Sequence, residues 1–458
     1  MTLINNSNAL WFGSLALLLT ALLLTGCLCH HSSCDESIQC TQCKEDTEVF
    51  PVPRMDRSRL NIGAYTLRET SRTEQHIRDI AECGINFMVC VPDDRAMLDL
   101  FQKYGIGAVV TGILPGWWGS DGRNAGKLRE INPMEKYLAA AQEFQDHPAI
   151  WGIDIGDEPS ARDFPYYGEI FQCVQEKFPN QFPYINLYPM YASVSENDAT
   201  QTVNQLGTPT YLEHIEKYCE NVPSDYICYD YYLYHAGVER HYENLRIVSN
   251  ACRRTGRSLW IVLQVNSWDK DKWISLNQLR FQANSSLAFG AENIIWACYS
   301  RAWWHNQVLT DEGEKTQQYD KLKQVNAEIH ALADEYMRYR NVSTHFLGFL
   351  QNSETLVKLQ DTPIMESFST DVFADLKSDQ AYGIIVGLME SRTDDGSSAL
   401  FICAADDPMD EHPTQFPVTF RCDGFHVTVI GAPLEQKPDG SYTLTMTSCG
   451  GALVVARP

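Results

Sequence analysis

Residues 150–159, IWGIDIGDEP, form the fourth of eight short runs of β-branched and aromatic residues that together predict the fold. Longer segments with helical patterning separate the runs, and this alternation is the signature of repeated βα units around a parallel sheet. Eight units over about 240 residues match the size of a TIM barrel, so we predict a (β/α)8 barrel, with a doubly wound sheet as the alternative. The other runs are LNIGAYTL (60–67), INFMVCV (85–91), IGAVVTGI (106–113), PYINLYP (183–189), DYICYDYYLY (225–234), SLWIVLQV (258–265) and ENIIWACYS (292–300).

The chain changes character after the eighth run. Residues 314–337 have apolar positions at helical spacing and contain neither Pro nor Gly, so they predict the closing helix of the barrel. Beyond this helix, short β-rich runs such as SALFICAA (398–405) alternate with Gly, Pro and Asp clusters, which predicts a small β-sandwich. The predicted segments are a signal peptide (1–26), a cysteine-rich tether (27–53), the TIM barrel (54–340) and the β-sandwich (341–458).

The amino-terminal residues predict export. Residues 10–24 (LWFGSLALLLTALLL) form an uncharged run with the length of a signal-peptide core, too short for a convincing membrane span. The run leads into Leu24-Thr25-Gly26-Cys27, which resembles a bacterial lipobox. We therefore expect a lipid on Cys27 and a membrane-anchored lipoprotein in the periplasm or on the cell surface; an ordinary secreted protein is the alternative.

Charge and motif content limit the classes of partner. Acidic residues outnumber Lys and Arg by 59 to 36, so the net charge of −23 would repel a nucleic-acid backbone or an anionic membrane face. Neither a dinucleotide-binding nor a P-loop glycine motif follows the first strand, and no HExxH zinc motif occurs. We therefore predict no cofactor, no metal and no nucleic-acid partner, and membrane attachment only through the lipid at Cys27. The oligomeric state stays open.

Polar and aromatic side chains collect at the predicted carboxyl ends of the strands, where barrels of this type carry their active sites. Aromatic faces stack on the C–H faces of sugar rings, while carboxylates, amides and arginines hydrogen-bond the hydroxyls, so this mixture favours a carbohydrate substrate. A packing lid made of the same aromatics is the alternative. The predicted substrate-binding residues are Tyr65, Trp117, Trp118, Asn186, Tyr188, Tyr232, Gln264, Asn266, Trp268, Tyr299, Arg301, Trp303 and Trp304.

Strand periodicity predicts which side chains face the barrel axis. Because Ile153 and Ile155 must face the helices, Asp154, Gly156 and Glu158 are expected to face inward. Asp154 would lie one layer below Glu158, where like-charge repulsion could raise the pKa of Glu158. A carboxyl kept protonated near neutral pH is what a general acid needs. By the same parity argument, we expect three further pairs of side chains to face inward: Asn186 and Tyr188, Cys228 and Asp230, and Gln264 and Asn266.

The segment HPAIWGIDIGDEP (147–159) resembles the strand-4 signature of clan A, beta-galactosidase-like glycoside hydrolases. The resemblance implies a glycoside hydrolase in which Glu158, the Glu before Pro, is the acid/base. Segments 226–232, 259–268 and 279–300 are similar to strands 6, 7 and 8 of exported barrel hydrolases related to that clan, and 442–456 is similar to their accessory domains. Two positions depart from the pattern: Asp157 stands where the clan usually has Asn, and Gln264 stands where the nucleophilic Glu would end strand 7.

A glutamine cannot form the glycosyl ester of a retaining reaction, so another carboxylate must serve or the reaction must differ. Asp230 is the first candidate, because it points inward from strand 6 and a wider separation from Glu158 would fit an inverting enzyme in which Asp230 activates water. Substrate assistance, which needs no second carboxylate nucleophile, also stays open. The other candidate carboxylates are Asp157, Asp93, Asp94 and Glu69.

Three alternatives to this catalytic interpretation stay open. Asp230 could be a structural carboxylate tied to Arg68, Arg301 or a backbone amide. The barrel could be a non-catalytic carbohydrate-binding protein that has lost its strand-7 nucleophile, which Gln264 favours. A metal-dependent barrel enzyme would have to use as its ligands Asp93, Asp94, Asp230 and His235.

Overall fold

The computed structural model describes residues 54–119, 122–193, 205–300, 302–348, 364–378, 382–410 and 412–458. Its first part contains the eight predicted strands: β1 (Asn61–Tyr65), β2 (Phe87–Pro92), β3 (Gly107–Thr111), β4 (Ile150–Asp157), β5 (Phe182–Asn186), β6 (Tyr226–Tyr231), β7 (Ser258–Gln264) and β8 (Ala291–Ala297). All eight belong to one parallel sheet in the order β5-β4-β3-β2-β1-β8-β7-β6. The predicted signal peptide, Cys27 and the tether lie outside the described residues, as does Arg301.

The two ends of this sheet meet and close the barrel. Leu187, directly after β5, forms a parallel bridge with Tyr229 of β6. The Leu187 N–H donates to the Cys228 carbonyl oxygen at 2.9 Å across the same seam. The TIM-barrel prediction is therefore confirmed.

Helices follow the strands as the patterning predicts: α1 (Glu74–Glu82), α2 (Arg95–Tyr104), α3 (Leu128–Ile131), α4 (Met134–Glu143), α5 (Phe164–Lys177), α6 (Tyr211–Asn221), α7 (Leu233–Ala236), α8 (Val238–Thr255), α9 (Leu276–Ala288) and α10 (Gln317–Tyr336). Side-chain caps define several helix starts; α9, for example, begins with a capping box between Ser275 and Gln278. None of the described helices combines the length and the apolar character that crossing a bilayer requires.

The barrel interior is filled rather than hollow. Large side chains from the strands, including Phe182 of β5, Tyr226 of β6 and Trp260 of β7, form a buried cluster around the axis. The Arg57 guanidinium covers the amino-terminal end of this cluster, 4.7 Å from the Phe182 ring centroid and 4.4 Å from that of Trp260. Access to the barrel axis is therefore at the opposite end, where the strands end.

The remaining strands form the predicted β-sandwich: β9 (Tyr339–Leu347), β10 (Ile364–Met365), β11 (Ala374–Ser378), β12 (Ile384–Ser391), β13 (Ser398–Ala404), β14 (Gln415–Arg421), β15 (His426–Ile430), β16 (Leu434–Gln436), β17 (Tyr442–Thr447) and β18 (Gly451–Arg457). A six-stranded sheet, β10-β9-β12-β13-β18-β15, faces a four-stranded sheet, β11-β14-β17-β16. Val386 and Leu400 of the larger sheet belong to the sandwich core, whereas their neighbours Ile385 and Phe401 belong to the barrel core.

The sandwich packs on the barrel through α9. A Cβ at Gly387 of β12 would lie 2.3 Å from the Ala288 carbonyl oxygen, and one at Gly451 of β18 would lie 2.3 Å from Asn284 Oδ1. Glycine is therefore required at both positions, because only a bare backbone can approach the helix this closely. The residues of α9 from Asn277 to Ala288 are buried except Arg280, because the helix is covered by the barrel on one side and by the sandwich on the other.

Candidate active site

A register shift in β4 decides which carboxyls enter the site. Asp154 pairs with Tyr184 of β5, Gly156 with Ile185 and Asp157 with Asn186. From Asp154 to Gly156 the chain of β4 thus advances by two residues while β5 advances by one. One extra residue of β4 is therefore accommodated after Asp154, as in a β-bulge. Beyond the bulge the inward and outward positions exchange.

The exchange corrects the predicted inward set on this strand. A Cβ at Gly156 would lie 2.2 Å from the Tyr167 hydroxyl oxygen, in the helical layer outside the barrel. Gly156 thus faces the helices, and the prediction that it faces inward is wrong. Asp157 takes the inward position beside its strand partner.

Glu158 reaches the site through its backbone conformation rather than through strand parity. Its φ angle is +47°, a left-handed value that costs energy for a residue with a β-carbon. The Glu158 N–H donates to the Asn186 carbonyl oxygen at 2.8 Å, which holds the turn. Trp118 Nε1 donates to Glu158 Oε2 at 2.9 Å, so one carboxyl oxygen is fixed and the other is available.

One amide links the two aspartates of the site. Asn186 Nδ2 donates to Asp157 Oδ1 at 3.1 Å and to Asp230 Oδ1 at 2.9 Å, so these two oxygens lie no farther apart than 6.0 Å, the sum of the two distances. The Cys228 thiol lies 3.5 Å from Asn186 Oδ1 and fixes the amide orientation. Asp230 therefore faces inward as predicted and is bonded to the Asn186 side-chain amide. Arg68, which the sequence offered as a structural partner of Asp230, instead lies 3.8 Å from Asp311.

We call Asp157, Glu158 and Asp230 the three-carboxyl site. Burial raises the pKa of Asp230 to about 7. Burial and then the charge of Asp230 raise the pKa of Asp157 to about 7, and the same two causes followed by Asp157 raise the pKa of Glu158 well above its usual range. The pKa of Glu158 is raised furthest, so Glu158 keeps its proton near neutral pH, while Asp157 and Asp230, whose pKa values are both raised to about 7, share the first ionisation.

Asp154 has a different effect from the one expected. Burial raises the pKa of Asp154 to about 6, against hydrogen bonds from Thr111 and the Gly156 N–H that lower it. The charges that raise the pKa of Glu158 are those of Asp230 and Asp157, while Asp154 raises the pKa of Asp157. Asp154 is thus a buried, hydrogen-bonded carboxyl below the site.

The loops after β7 and β8 are tied into a rigid pair. Ser267 and His305 form an antiparallel bridge in which each N–H donates to the other's carbonyl oxygen at 2.8 Å. Asn266 Nδ2 donates to the Trp303 carbonyl oxygen at 2.7 Å. Trp304 follows with a left-handed φ of +62°, so the loop is held in one conformation.

These loops present an aromatic wall beside the carboxyls. Tyr232 after β6 makes an edge contact with Trp304 at 4.8 Å between ring centroids, and His235 stacks on Trp268 at 5.2 Å. Trp268 is 63% exposed, as is Trp118, the tryptophan bonded to Glu158. Exposed indole faces next to buried carboxyls are suited to the apolar faces of sugar rings.

Three predicted binding residues do not face the site. Tyr188 is buried among residues of the outer core, with its ring centroid 6.4 Å from that of His214. Tyr299 is fully buried in the outer core. Gln264 is 1% exposed; its Oε1 accepts from the Tyr234 N–H and its Nε2 donates to the Asn266 carbonyl oxygen, both at 3.0 Å.

Two further members of the predicted set have structural contacts at the site's border. The Tyr65 hydroxyl bonds to that of Tyr184 at 2.6 Å below the site, and the Tyr65 ring contacts the edge of Trp303 at 6.0 Å. The Trp117 carbonyl oxygen accepts from the Asp157 N–H at 2.9 Å and so fixes the end of β4.

The remaining candidate carboxylates serve local structure. Asp93 pairs with Arg95 at 2.8 Å. Asp94 caps the first turn of α2 and lies 3.4 Å from Arg72. Glu69 is exposed in a 3-10 turn. Asp93, Asp94 and Glu69 are therefore not part of the three-carboxyl site, whereas Asp157 and Asp230 are.

The four metal ligands considered from the sequence are not assembled around one point. Asp93 and Asp94 bond to arginines, and His235 stacks on an indole ring. Within the described ranges, no group of three or more His, Cys, Asp or Glu side chains is placed to hold a metal ion.

Comparisons with known proteins give solved structures only. No protein-family model matches the chain, and no curated protein matches it. One similar structure is a glycoside hydrolase family 5 mannosidase from Rhizomucor miehei, with 12% identity, coverage of 58% of this chain and 92% of that chain, and a TM-score of 0.39. Another is a putative alpha-L-fucosidase from Bacteroides thetaiotaomicron, with 12% identity, coverage of 64% of this chain and 99% of that chain, and a TM-score of 0.42. A third is xylanase 10B from Thermotoga maritima, with 12% identity, coverage of 59% of this chain and 96% of that chain, and a TM-score of 0.40. The similarity is low in sequence and in superposition, so the function has to be argued from the site.

Proposed function

We propose that the chain is a glycoside hydrolase that cleaves O-glycosidic bonds in an oligo- or polysaccharide, with Glu158 as the general acid. The observation that carries the proposal is the arrangement of the three-carboxyl site, in which the Asn186 amide joins Asp157 and Asp230 while Glu158, bonded to Trp118, has its pKa raised furthest. Glycoside hydrolysis needs one protonated and one ionised carboxyl on either side of the scissile bond.

Glu158 has the contacts of an acid that must give up its proton. The Trp118 indole N–H holds Oε2, and hydrogen bonding to the carboxylate form lowers the pKa against the larger raising effect of burial. In the proposed step, Glu158 donates its proton to the glycosidic oxygen while the bond from that oxygen to the anomeric carbon breaks. The same hydrogen bond then stabilises the carboxylate that remains.

Asp230 is proposed as the base of an inverting reaction. Its carboxylate takes a proton from a water molecule whose oxygen adds to the anomeric carbon as the leaving group departs. The Asn186 amide orients the carboxylate and also holds Asp157, which stays the second candidate for this role. Inversion is tested by an NMR time course of the first-formed product anomer; a product with retained configuration would contradict it.

The substrate proposal rests on the exposed aromatic faces. Trp118 and Trp268 each expose 63% of their surface, and Trp304, Tyr232 and Trp303 join Trp268 through successive ring contacts. Stacking of sugar C–H faces on these rings would place a glycosidic oxygen near Glu158, because Trp118 contacts that residue directly.

A non-catalytic carbohydrate-binding barrel is the second candidate function. The observation in its favour is Gln264, since β7 ends in an amide that is bonded to two backbone groups rather than in a carboxylate. This candidate predicts sugar binding without turnover.

The experiment that separates these functions is a hydrolysis screen of the mature protein against a broad glycan panel, with and without EDTA. We expect turnover that EDTA leaves unchanged and that Glu158→Gln removes. Binding without turnover by the wild type would favour the binding protein, and turnover lost in EDTA would favour a metal enzyme.

We also propose that the protein acts outside the cytoplasm, anchored by a lipid on Cys27. The support is the sequence alone: the apolar run 10–24 and the Leu24-Thr25-Gly26-Cys27 motif, which lie outside the described residues. Export would place the enzyme where polysaccharides are met.

A further inference from the structure

A cavity of about 450 Å³ opens at the amino-terminal end of the barrel, the end opposite the three-carboxyl site. The last turn of α8 and the starts of β7, β8 and β9 meet there. Four arginines line this arginine cavity: Arg253, Arg257, Arg340 and Arg392. Among its described lining residues Glu292 is the one acidic side chain, although the chain as a whole carries a net charge of −23.

Two of the four arginines have carboxylate partners. Arg392 pairs with Glu292 in the cavity wall. Arg340 lies 3.7 Å from Glu390, and both side chains are largely exposed. The charges of these two arginines are therefore offset by the protein itself.

The other two arginines bond only to neutral groups in the part of the chain that the structure describes. Arg253 donates to the side-chain oxygens of Asn341 and Asn250. Arg257 donates to two backbone carbonyl oxygens at the end of α6, at 3.0 and 2.9 Å. Each guanidinium thus enters the cavity wall without a carboxylate to balance it.

Helix termini offset only part of this charge. Arg257 caps the carboxyl end of α6 and Arg253 lies in the last turn of α8, where the helix dipole favours a cation. However, Nη1 of Arg257 is buried without a hydrogen-bond partner, and burial lowers the pKa of Arg253. Charged groups removed from water are normally paired, so the two guanidiniums indicate a missing anion.

We propose that the arginine cavity binds a small phosphate or sulfate ester. A phosphate ester carries close to two negative charges at neutral pH and would balance both uncompensated arginines, whereas a sulfate ester carries one and would balance one of them. The tetrahedral oxygens of either ester match the forked N–H donors of guanidinium groups. The cavity volume lies within the usual range for small-ligand sites, so the group is carried on a small organic molecule rather than bound as a bare ion. The inference does not depend on the hydrolase proposal, since the two sites lie at opposite ends of the barrel.

The test is titration calorimetry of the mature wild-type protein with glucose 6-phosphate, glucose 6-sulfate and inorganic phosphate at low ionic strength. We expect saturable binding with one site per chain, tightest for one of the two esters, which identifies the ester class. Tighter binding of inorganic phosphate than of either ester would overturn the proposal. Competition by chloride that is as effective as competition by the esters would also overturn it, because it would indicate an adventitious ion only.

Arg253→Gln is the test variant, and Arg254→Gln is its matched control. The control removes the same charge one residue later, from an exposed side chain 3.8 Å from Glu216 that does not line the cavity. Loss of one charge-assisted contact should weaken ester binding about tenfold or more in Arg253→Gln and leave it nearly unchanged in Arg254→Gln. Arg392→Gln, at another wall of the cavity, should also weaken binding. Equal affinity in the test and control variants, or no saturable binding by the wild type, would refute the site.

Discussion

Replacement of Asp230 by Asn should stabilise the protein at neutral and alkaline pH. Asp230 is 3% exposed, and burial raises its pKa from 3.8 to about 7. The wild-type fold therefore has to hold an ionised carboxylate in a buried position once the pH exceeds that value. An Asn side chain keeps the size of Asp and can still accept the Asn186 hydrogen bond, but it never ionises.

The sign and size of the effect follow from proton linkage. The pKa of Asp230 is higher in the folded than in the unfolded state, so the folded state binds more protons between about pH 4 and pH 7. The contribution of Asp230 to the free energy of unfolding therefore falls as the pH rises through that window. A pKa difference of about three units corresponds to about 4 kcal/mol. Because the three carboxyls share their protons, we expect Asp230→Asn to gain about 2–4 kcal/mol over the wild type at pH 8.

The assay is denaturant unfolding of wild type and Asp230→Asn at pH 4 and pH 8. The stability difference should be small at pH 4 and should favour the variant at pH 8. Asp93→Asn is the control, because Asp93 is an exposed aspartate that pairs with Arg95 at the surface. A difference that does not grow between the two pH values, or that grows equally in the control, would refute the claim that Asp230 is a buried group of raised pKa.

The remaining predictions concern catalysis and export. The kcat/KM of the wild type should rise with pH through about 7, as Asp230 ionises, and fall at higher pH as Glu158 loses its proton; a profile that is flat near neutral pH would contradict the assignment. Trp118→Phe should move the alkaline limb to higher pH, because it removes the hydrogen bond that lowers the pKa of Glu158; an unmoved limb would mean that this bond is absent in the working enzyme. Cys27→Ser should release the protein from the membrane fraction or leave its precursor uncleaved, and unchanged fractionation with normal processing would exclude the lipid anchor.

The sequence predicts the architecture because the signals for it are local. Each barrel strand carries its own run of β-branched or aromatic residues, and the closing helix at 314–337 is observed as Gln317–Tyr336. The place of the site follows from this topology, since strand ends meet at one end of a barrel. Asp230 could be placed correctly by parity because β6 is regular from Tyr226 to Tyr231.

The details of the site depend on interruptions of that regularity. The bulge after Asp154 exchanges the inward and outward faces of β4, and the signal for it is Gly156, since a glycine inside a strand often marks a bulge. Tyr188 and Tyr299 follow the last residues of their strands, where period-two alternation no longer applies. Parity alone could not predict these three positions.

Other features involve contacts between distant parts of the chain. Parity points Gln264 toward the axis, but the Tyr234 N–H, supplied by the loop after β6, determines what its amide binds. The arginine cavity is built from α8, β7, β8, β9 and the end of β12, with Arg253 and Arg392 more than a hundred residues apart. No local pattern in the sequence indicates such a site.

The most direct test of the central claim compares wild type and Glu158→Gln on glycosides with poor and good leaving groups. General acid catalysis typically supplies a factor of about 10² to 10⁴, and this help is needed only where the leaving group must be protonated. We expect Glu158→Gln to keep sugar binding. Its turnover should fall by about that factor on a natural glycoside and by far less on an activated aryl glycoside. Near wild-type turnover of the natural glycoside by Glu158→Gln would contradict it.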